Sequence, residues 1–202
     1  ETIGRISAYG MLCGVLGINV AHELGHRSKT YEKLMAKGLL LSTLYLQFYI
    51  EHNKGHHKNV GTPKDPTSAR IGEWLPAFWY RSIVNVYLNA WRISNKECKR
   101  NYGSAFSLKN EMLIYQLLEI ALVLTILMVF GLKVMLFYLA AAFIGAILLE
   151  TVEYIEHYGL TRIKLNEFRY EDTNPKHSWN SNHLIGRLFL FELSRHSDHH
   201  FK

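Results

Sequence analysis

Apolar residues fall along this chain in runs, and polar residues gather between them. The first run, Ile6 to Ala21, is broken only by small or weakly polar residues. A helix over residues 2–22 is long enough to cross a bilayer. A second run, Leu34 to Ile50, follows a short basic link. Residues 58–110 are polar and aromatic and hold Pro63, Pro66 and Pro76; Pro63-Lys64-Asp65-Pro66 predicts an irregular turn. Leu113 to Leu132 and Val134 to Leu149 are nearly continuous apolar runs, separated at Gly131-Leu132-Lys133. So long a stretch suits a hairpin of two spanning arms, about 113–131 and 134–157, better than one helix. From Tyr158 onward the chain is polar, apart from Leu184 to Leu193. The pattern predicts an all-α, integral-membrane helical bundle forming one domain over residues 1–202.

The polar ends of these runs carry histidine. Nine of the eleven histidines fall in four stretches: His22-Glu23-Leu24-Gly25-His26, Glu51-His52-Asn53-Lys54-Gly55-His56-His57, Glu156-His157-Tyr158-Gly159-Leu160 and Arg195-His196-Ser197-Asp198-His199-His200. His177 and His183 lie a little before the last. A lone helical histidine is ordinarily structural. Histidines repeated three or four residues apart share one helix face, as metal ligands do. A structural zinc site needs four ligands, usually with Cys. Cys13 and Cys98 form no CxxC pair, and there are too many histidines for one such site, so two metals are expected to share them. Imidazole suits Fe, Cu, Ni and Zn alike. Glu23, Glu51, Glu156 and Asp198 adjoin these histidines, and Glu153 precedes His157 by one turn. Each is either ordinary surface charge or the acceptor of an imidazole's second N–H, which fixes the ring's tautomer, and a minority of them could ligate metal directly.

A shared centre requires all four stretches on one side of the bilayer. The first helix and the hairpin deliver their histidines to the same side. A single crossing by residues 34–50 would strand His52 opposite, so that segment is expected to pack inside the bundle or to dip in and return. Residues 27–112 carry fourteen Lys and Arg and residues 158–202 carry seven, against Arg5 and Lys133 on the other side. This bias predicts a cytoplasmic metal site. Hydrophobic and aromatic contents of 49% and 13% exclude a disordered chain. The net charge of +6 raises nucleic acid as a partner, but the basic residues form no compact stripe. Two other classes compete. His22-Glu23-Leu24-Gly25-His26 matches the zinc-protease pattern His-Glu-x-x-His, which leaves most of the histidines unused. A metal transporter would need its histidines along a helix through the bilayer rather than at helix ends.

His22-Glu23-Leu24-Gly25-His26-Arg27, Glu51 to His57, Glu153-Tyr-Ile-Glu-His-Tyr-Gly-Leu160 and Leu193-Ser-Arg-His-Ser-Asp-His-His200 resemble the membrane alkane monooxygenases of the integral-membrane di-iron desaturase and hydroxylase superfamily. Thr62-Pro63-Lys64-Asp65-Pro66 and His177-Ser178-Trp179-Asn180-Ser181 look like that family too, whereas Ser194 stands where it more often has Gln. The third stretch separates the family from desaturases. The resemblance implies a multi-pass protein of the bacterial inner membrane that hydroxylates the terminal methyl of n-alkanes with O2. It implies two iron ions held by His22, His26, His52, His56, His57, His157, His196, His199 and His200. Electrons would come from rubredoxin and its reductase. Against the family's length, this chain reads as a fragment without the early helices and the tail. Xylene-type monooxygenases, fatty-acid hydroxylases and desaturases are the nearest alternatives.

Several lesser expectations follow. His177 and His183, with Glu23, Glu51, Glu153, Glu156 and Asp198, are candidates to support the ligands. Leu12, Leu16, Leu122, Ile126, Phe143 and Ile147 are candidates to line an alkane channel, with lipid contact or helix packing as the plainer role. Gly10, Gly14 and Gly17 are expected to let helices approach closely. Lys54, Lys58, Lys64, Arg92, Lys96, Lys99 and Arg100 are candidates to dock an acidic rubredoxin, beside their plainer role at lipid headgroups.

Overall fold

Helix α1 (Thr2–Gly25) and helix α5 (Glu111–His157) are long and apolar enough to cross a membrane. The computed structural model describes residues 1–167, 169–190 and 193–201, with the side chains of Phe189, Asp198 and Phe201 left out. Between the two long helices lie α2 (Thr30–Leu41), α3 (starting at Leu46–Glu51) and α4 (Leu75–Tyr102). Two short helices follow, α6 (Leu184–Phe189) and α7 (His196–Phe201). Among the described residues the only pairing of strand type is a lone bridge between Lys164 and Tyr170.

A straight α5 would run about 70 Å, over twice the bilayer's hydrocarbon thickness. It does not run straight. Gly131 takes φ 80° and ψ 170°, outside the helical region and open to a residue without Cβ. Side-chain contacts show where the two arms go. Glu119 accepts a hydrogen bond from Leu46 N at 3.0 Å, and Glu150 accepts one from Tyr45 Oη at 2.5 Å. Straight helix would hold these carboxylates about 46 Å apart. They serve adjacent residues, so the arms fold back on each other. Glu111 and His157, at the two ends, lie toward the same histidines: Glu111 pairs with Lys54 at 3.2 Å, and His157 Nε2 is 3.1 Å from His196 Nε2.

The second arm packs on α1 through small residues. A Cβ on Gly10 would come within 2.8 Å of the Ile144 side chain, and one on Gly14 within 3.1 Å of Gly145 O. Gly17 meets nothing within 4 Å, so close packing holds at the first two glycines only.

Residues 34–50 form no single helix. α2 stops at Leu41, and the chain turns through Leu44, which takes the left-handed φ of 53°. Glu119 then satisfies the first free N–H of α3 from inside the bundle, where an unpaired N–H costs about 1–3 kcal/mol. Ala36, Leu40, Tyr45, Leu46, Phe48 and Ile50 are buried in the main core. The segment leaves from His26 and returns to His52, whose rings lie 5.2 Å apart.

Helix α4 was not evident in the polar pattern. Its buried residues are Phe78, Ser82, Val86, Ala90, Ser94 and Cys98, every fourth position. Apart from Phe78 and Val86 the stripe uses small or weakly polar side chains, and Ser82 and Ser94 interrupt its apolar signature. Pro76 sits in its first turn, and Gly103 closes it at φ 77°. Ser82 bonds Glu150, and Ser94 donates to Asn110, the residue whose side chain caps α5.

Candidate metal centre

All nine histidines of the four stretches converge at one end of the bundle, in two groups. His22, His26, His52, His57 and His199 offer ligand atoms within 4.8 Å of one another, and so do His56, His157, His196 and His200.

Helix geometry explains the division. His22 and His26 are one α-turn apart at the end of α1 and join the same group. His196 and His200 do likewise in α7, while His199 points to the other group. The second stretch works differently. Residues His52–His56 form a π-turn, which closes over five residues rather than four. This widening brings His52 and His57 together, Nε2 to Nε2 at 3.1 Å, and sends His56 to the neighbouring group. Gly55 leaves room there for the Glu51 carboxylate, which a Cβ would force to move.

In the four-histidine group three outer nitrogens face protein oxygens, and that of His200 has no hydrogen-bond partner among the described residues. His56 Nδ1 lies 2.9 Å from Asp65 Oδ2, and Asp65 is fixed by Ser68 Oγ at 2.6 Å and Thr67 N at 3.2 Å. His157 Nδ1 faces His177 O at 3.2 Å, and His196 Nδ1 faces Glu156 Oε2 at 3.3 Å. With Nδ1 donating, each of these Nε2 atoms carries a lone pair. The lone pairs point at one another: His56–His200 3.1 Å, His157–His196 3.1 Å and His196–His200 2.8 Å. Neutral acceptors so placed repel unless a cation lies among them. Two donors about 2.1 Å from one metal ion, at a right angle, sit about 3 Å apart. The donor set therefore fits a metal. The five-histidine group repeats the spacing, with His22–His52 at 2.6 Å, His57–His199 at 3.1 Å and His52–His199 at 3.5 Å.

Burial and neighbouring imidazoles hold His57 down to about 2, and burial with His199 holds His26 down to about 4. Both rings are thus neutral and ready to ligate. Burial alone would lower His56 as well, but the Asp65 and Glu153 carboxylates outweigh it and push it up to about 10, so this ring favours a positive charge at Nε2, a proton or, in its place, a metal ion. Burial, the largest single influence, raises Asp65, but the charge and hydrogen bond of His56, the Ser68 hydrogen bond and His157 together bring it below the ordinary carboxylate value. Glu51, buried against Gly55 and bonded by Asn89 at 3.1 Å, is pushed up to about 8 by burial and by Asp65.

The expected supporting residues separate. Glu23 Oε1 lies 3.6 Å from His199 Nδ1, and Glu156 reaches His196 as above. Glu51 touches Asn89 rather than an imidazole nitrogen. His177 supports His157 through its backbone carbonyl, while its ring faces Glu171 at 3.1 Å. His183 is exposed at the start of α6, and the side chain of Asp198 lies outside the described residues. Leu12, Leu16 and Phe143 are exposed, and Leu122, Ile126 and Ile147 are half-buried. None of these six lines the groove of about 330 Å³ between the start of α1 and the second arm of α5. Asp65 was missed as a supporting residue, although its stretch stood out. Its only signal is its position a few residues after His56.

The fatty acid desaturase family profile matches residues 3–202. The alkane 1-monooxygenase of Ectopseudomonas oleovorans is 41% identical over 97% of this chain and 50% of its own length. Alkane 1-monooxygenase 1 of Alcanivorax borkumensis is 44% identical over 99% of this chain and 49% of its own. The xylene/toluene monooxygenase hydroxylase component XylM of Pseudomonas putida is 27% identical over 99% of this chain and 53% of its own. The chain thus spans about half the length of these curated relatives. With a helical bundle, clustered histidines and a family match along nearly its whole length, the chain belongs to the fatty acid desaturase family.

Proposed function

We propose that this chain carries the metal centre of an alkane 1-monooxygenase, a bacterial inner-membrane enzyme hydroxylating the terminal methyl of n-alkanes with O2. The observation that carries the reading is the division of nine histidines into adjacent groups of five and four. Such a pair of sites suits two iron ions, which when bound supply O2 activation and C–H cleavage. The identities favour an alkane over an aromatic methyl, since the alkane 1-monooxygenases stand at 41% and 44% against 27% for XylM.

The chain's own residues bind, orient and enclose. Asp65 and the His177 carbonyl fix the tautomers of two ligands, and Glu156 faces the outer nitrogen of a third at 3.3 Å. Buried Phe48 stacks on His52, ring centroids 4.7 Å apart, and helps to keep that side of the site dry. Residues 2–22, 113–131 and 134–157 cross the membrane, and the metal end faces the cytoplasm. Leu12, Leu16, Leu122, Ile126, Phe143 and Ile147 offer an apolar approach for a substrate that has no polar handle.

Electrons come from rubredoxin and its reductase. A groove of about 370 Å³ supports this, with Lys54, Lys58, Lys64, Lys96 and Arg100 around it and Gly55, the neighbour of His56, in its lining. An acidic carrier seated there would lie one residue from a ligand. The decisive experiment measures iron per chain and the products formed from octane, hexadecane, xylene and a fatty acid, with rubredoxin and reductase supplied. Two irons and 1-alkanols are expected. One zinc without iron, or oxidation of xylene alone, overturns the reading.

A further inference from the structure

Three glutamates follow one another along the end of α5, and they are not equivalent. Glu150 accepts from Tyr45 and Ser82. Glu156 Oε2 faces the outer nitrogen of His196 at 3.3 Å. Glu153 is different. It is only 2% exposed, and its Oε2 has no hydrogen-bond partner among the described residues. That oxygen lies 3.6 Å from His56 Nε2 and 3.8 Å from His157 Nε2. These are the nitrogens aimed at the centre of the four-histidine group, because the Nδ1 atoms of both rings are turned to Asp65 and to His177 O. A carboxylate supporting an imidazole from outside would face Nδ1, as Asp65 and Glu156 do. Glu153 faces the other nitrogen.

The second oxygen settles which group it serves. Glu153 Oε1 lies 3.8 Å from His52 Nδ1, behind the ring whose Nε2 looks into the five-histidine group. It cannot reach the centre of that group past the ring. Two donors held about 2.1 Å from one ion and 3.6–3.8 Å apart subtend about 120–130° at it, an ordinary angle between ligands.

We propose that Glu153 is a ligand of the metal in the four-histidine site, giving Oε2 to the ion and turning Oε1 toward the N–H of His52. Each site then has five protein ligands, one set all nitrogen and the other with a single anionic oxygen. The inference rests on the di-iron reading above. The carboxylate also accounts for a buried anion that no Lys or Arg is seen to neutralise among the described residues. The two ions become inequivalent, the carboxylate-bound one holding its oxidised form more strongly.

The test uses the purified membrane protein in detergent, stripped of metal and reloaded with ferrous iron alone, and reads Mössbauer spectra and iron affinity. The parent should show two iron environments of equal area. Glu153→Ala should move one of them and weaken iron at that site by about 10–100-fold or more, with formate restoring it in part. Glu153→Gln, nearly the same shape without the charge, should move the same environment and respond less to formate. Two bound irons with both environments unchanged in either variant would overturn the assignment, as would an equal change in both. If Glu153→Ala does not fold, the Gln variant decides alone. Failure of the parent to bind two irons would instead defeat the reading on which the inference rests.

Discussion

The two histidine groups share a helix end and differ in how they are held. In the four-histidine group His56, His157 and His196 are fully buried, the outer nitrogens of His56 and His157 are hydrogen-bonded to protein oxygens, and that of His196 faces Glu156 at 3.3 Å, while half-buried His200 has no such partner among the described residues. In the five-histidine group His26 is exposed, His57 and His199 are half-buried, and the outer nitrogens of His22 and His52 have no hydrogen-bond partner among the described residues. One site is built into the bundle. The other lies nearer the surface, with His26 open to solvent. The difference gives the first group the more enclosed ligands and the second the more accessible ones.

Ligand removal strains this contrast most. His157→Ala should take the inner site's metal away, lowering iron from about two per chain toward one and abolishing turnover. Normal turnover in that variant would remove His157 from the ligand set. Asp65→Ala should come next. It frees His56 to rotate, and iron affinity at one site should fall by about 10–100-fold, measured by competition with a chelator. Glu23→Gln is the matching change at the outer site. Since Glu23 is half exposed and 3.6 Å from His199, its effect should be less than that of Asp65→Ala. An equal loss in the two variants would erase the contrast. Gly10→Leu probes the scaffold. It should cost about 1–3 kcal/mol in thermal unfolding, since Ile144 and Ala141 leave no room, while Gly17→Ala should be near neutral. The smallest effect belongs to the surface: charge reversal at Lys96, Lys99 and Arg100 should flatten the salt dependence of rubredoxin-driven turnover and leave iron content unchanged. An unchanged salt dependence would rule out docking there.

What the sequence made legible was local. Histidines one helical turn apart announce a shared face, and a Gly-Leu-Lys interruption announces a break, which the structure places at Gly131. What it hid depends on contacts between distant residues or on backbone geometry. Asp65 is remarkable in no periodicity, and its role exists only because the loop after α3 folds back onto His56. The stripe of α4 uses Ser82 and Ser94, whose burial depends on Glu150 and Asn110 being there to meet them. Glu153 reads as one acidic residue among several until the orientation of His56 and His157 is known.

The π-turn at His52–His56 has a consequence of another kind. It is one residue longer than an α-turn, and that extra residue is what lets His57, five positions on, meet His52. Wound at ordinary pitch, the same sequence would keep every histidine and every carboxylate yet turn His56 toward His52 in place of His57. Which histidine joins which group is therefore set by backbone pitch, apart from any side chain. A relative that lacks one residue here and keeps an ordinary α-turn would still bring its second histidine of the adjacent pair to His52, so a one-residue gap at this point and the loss of a histidine are different events.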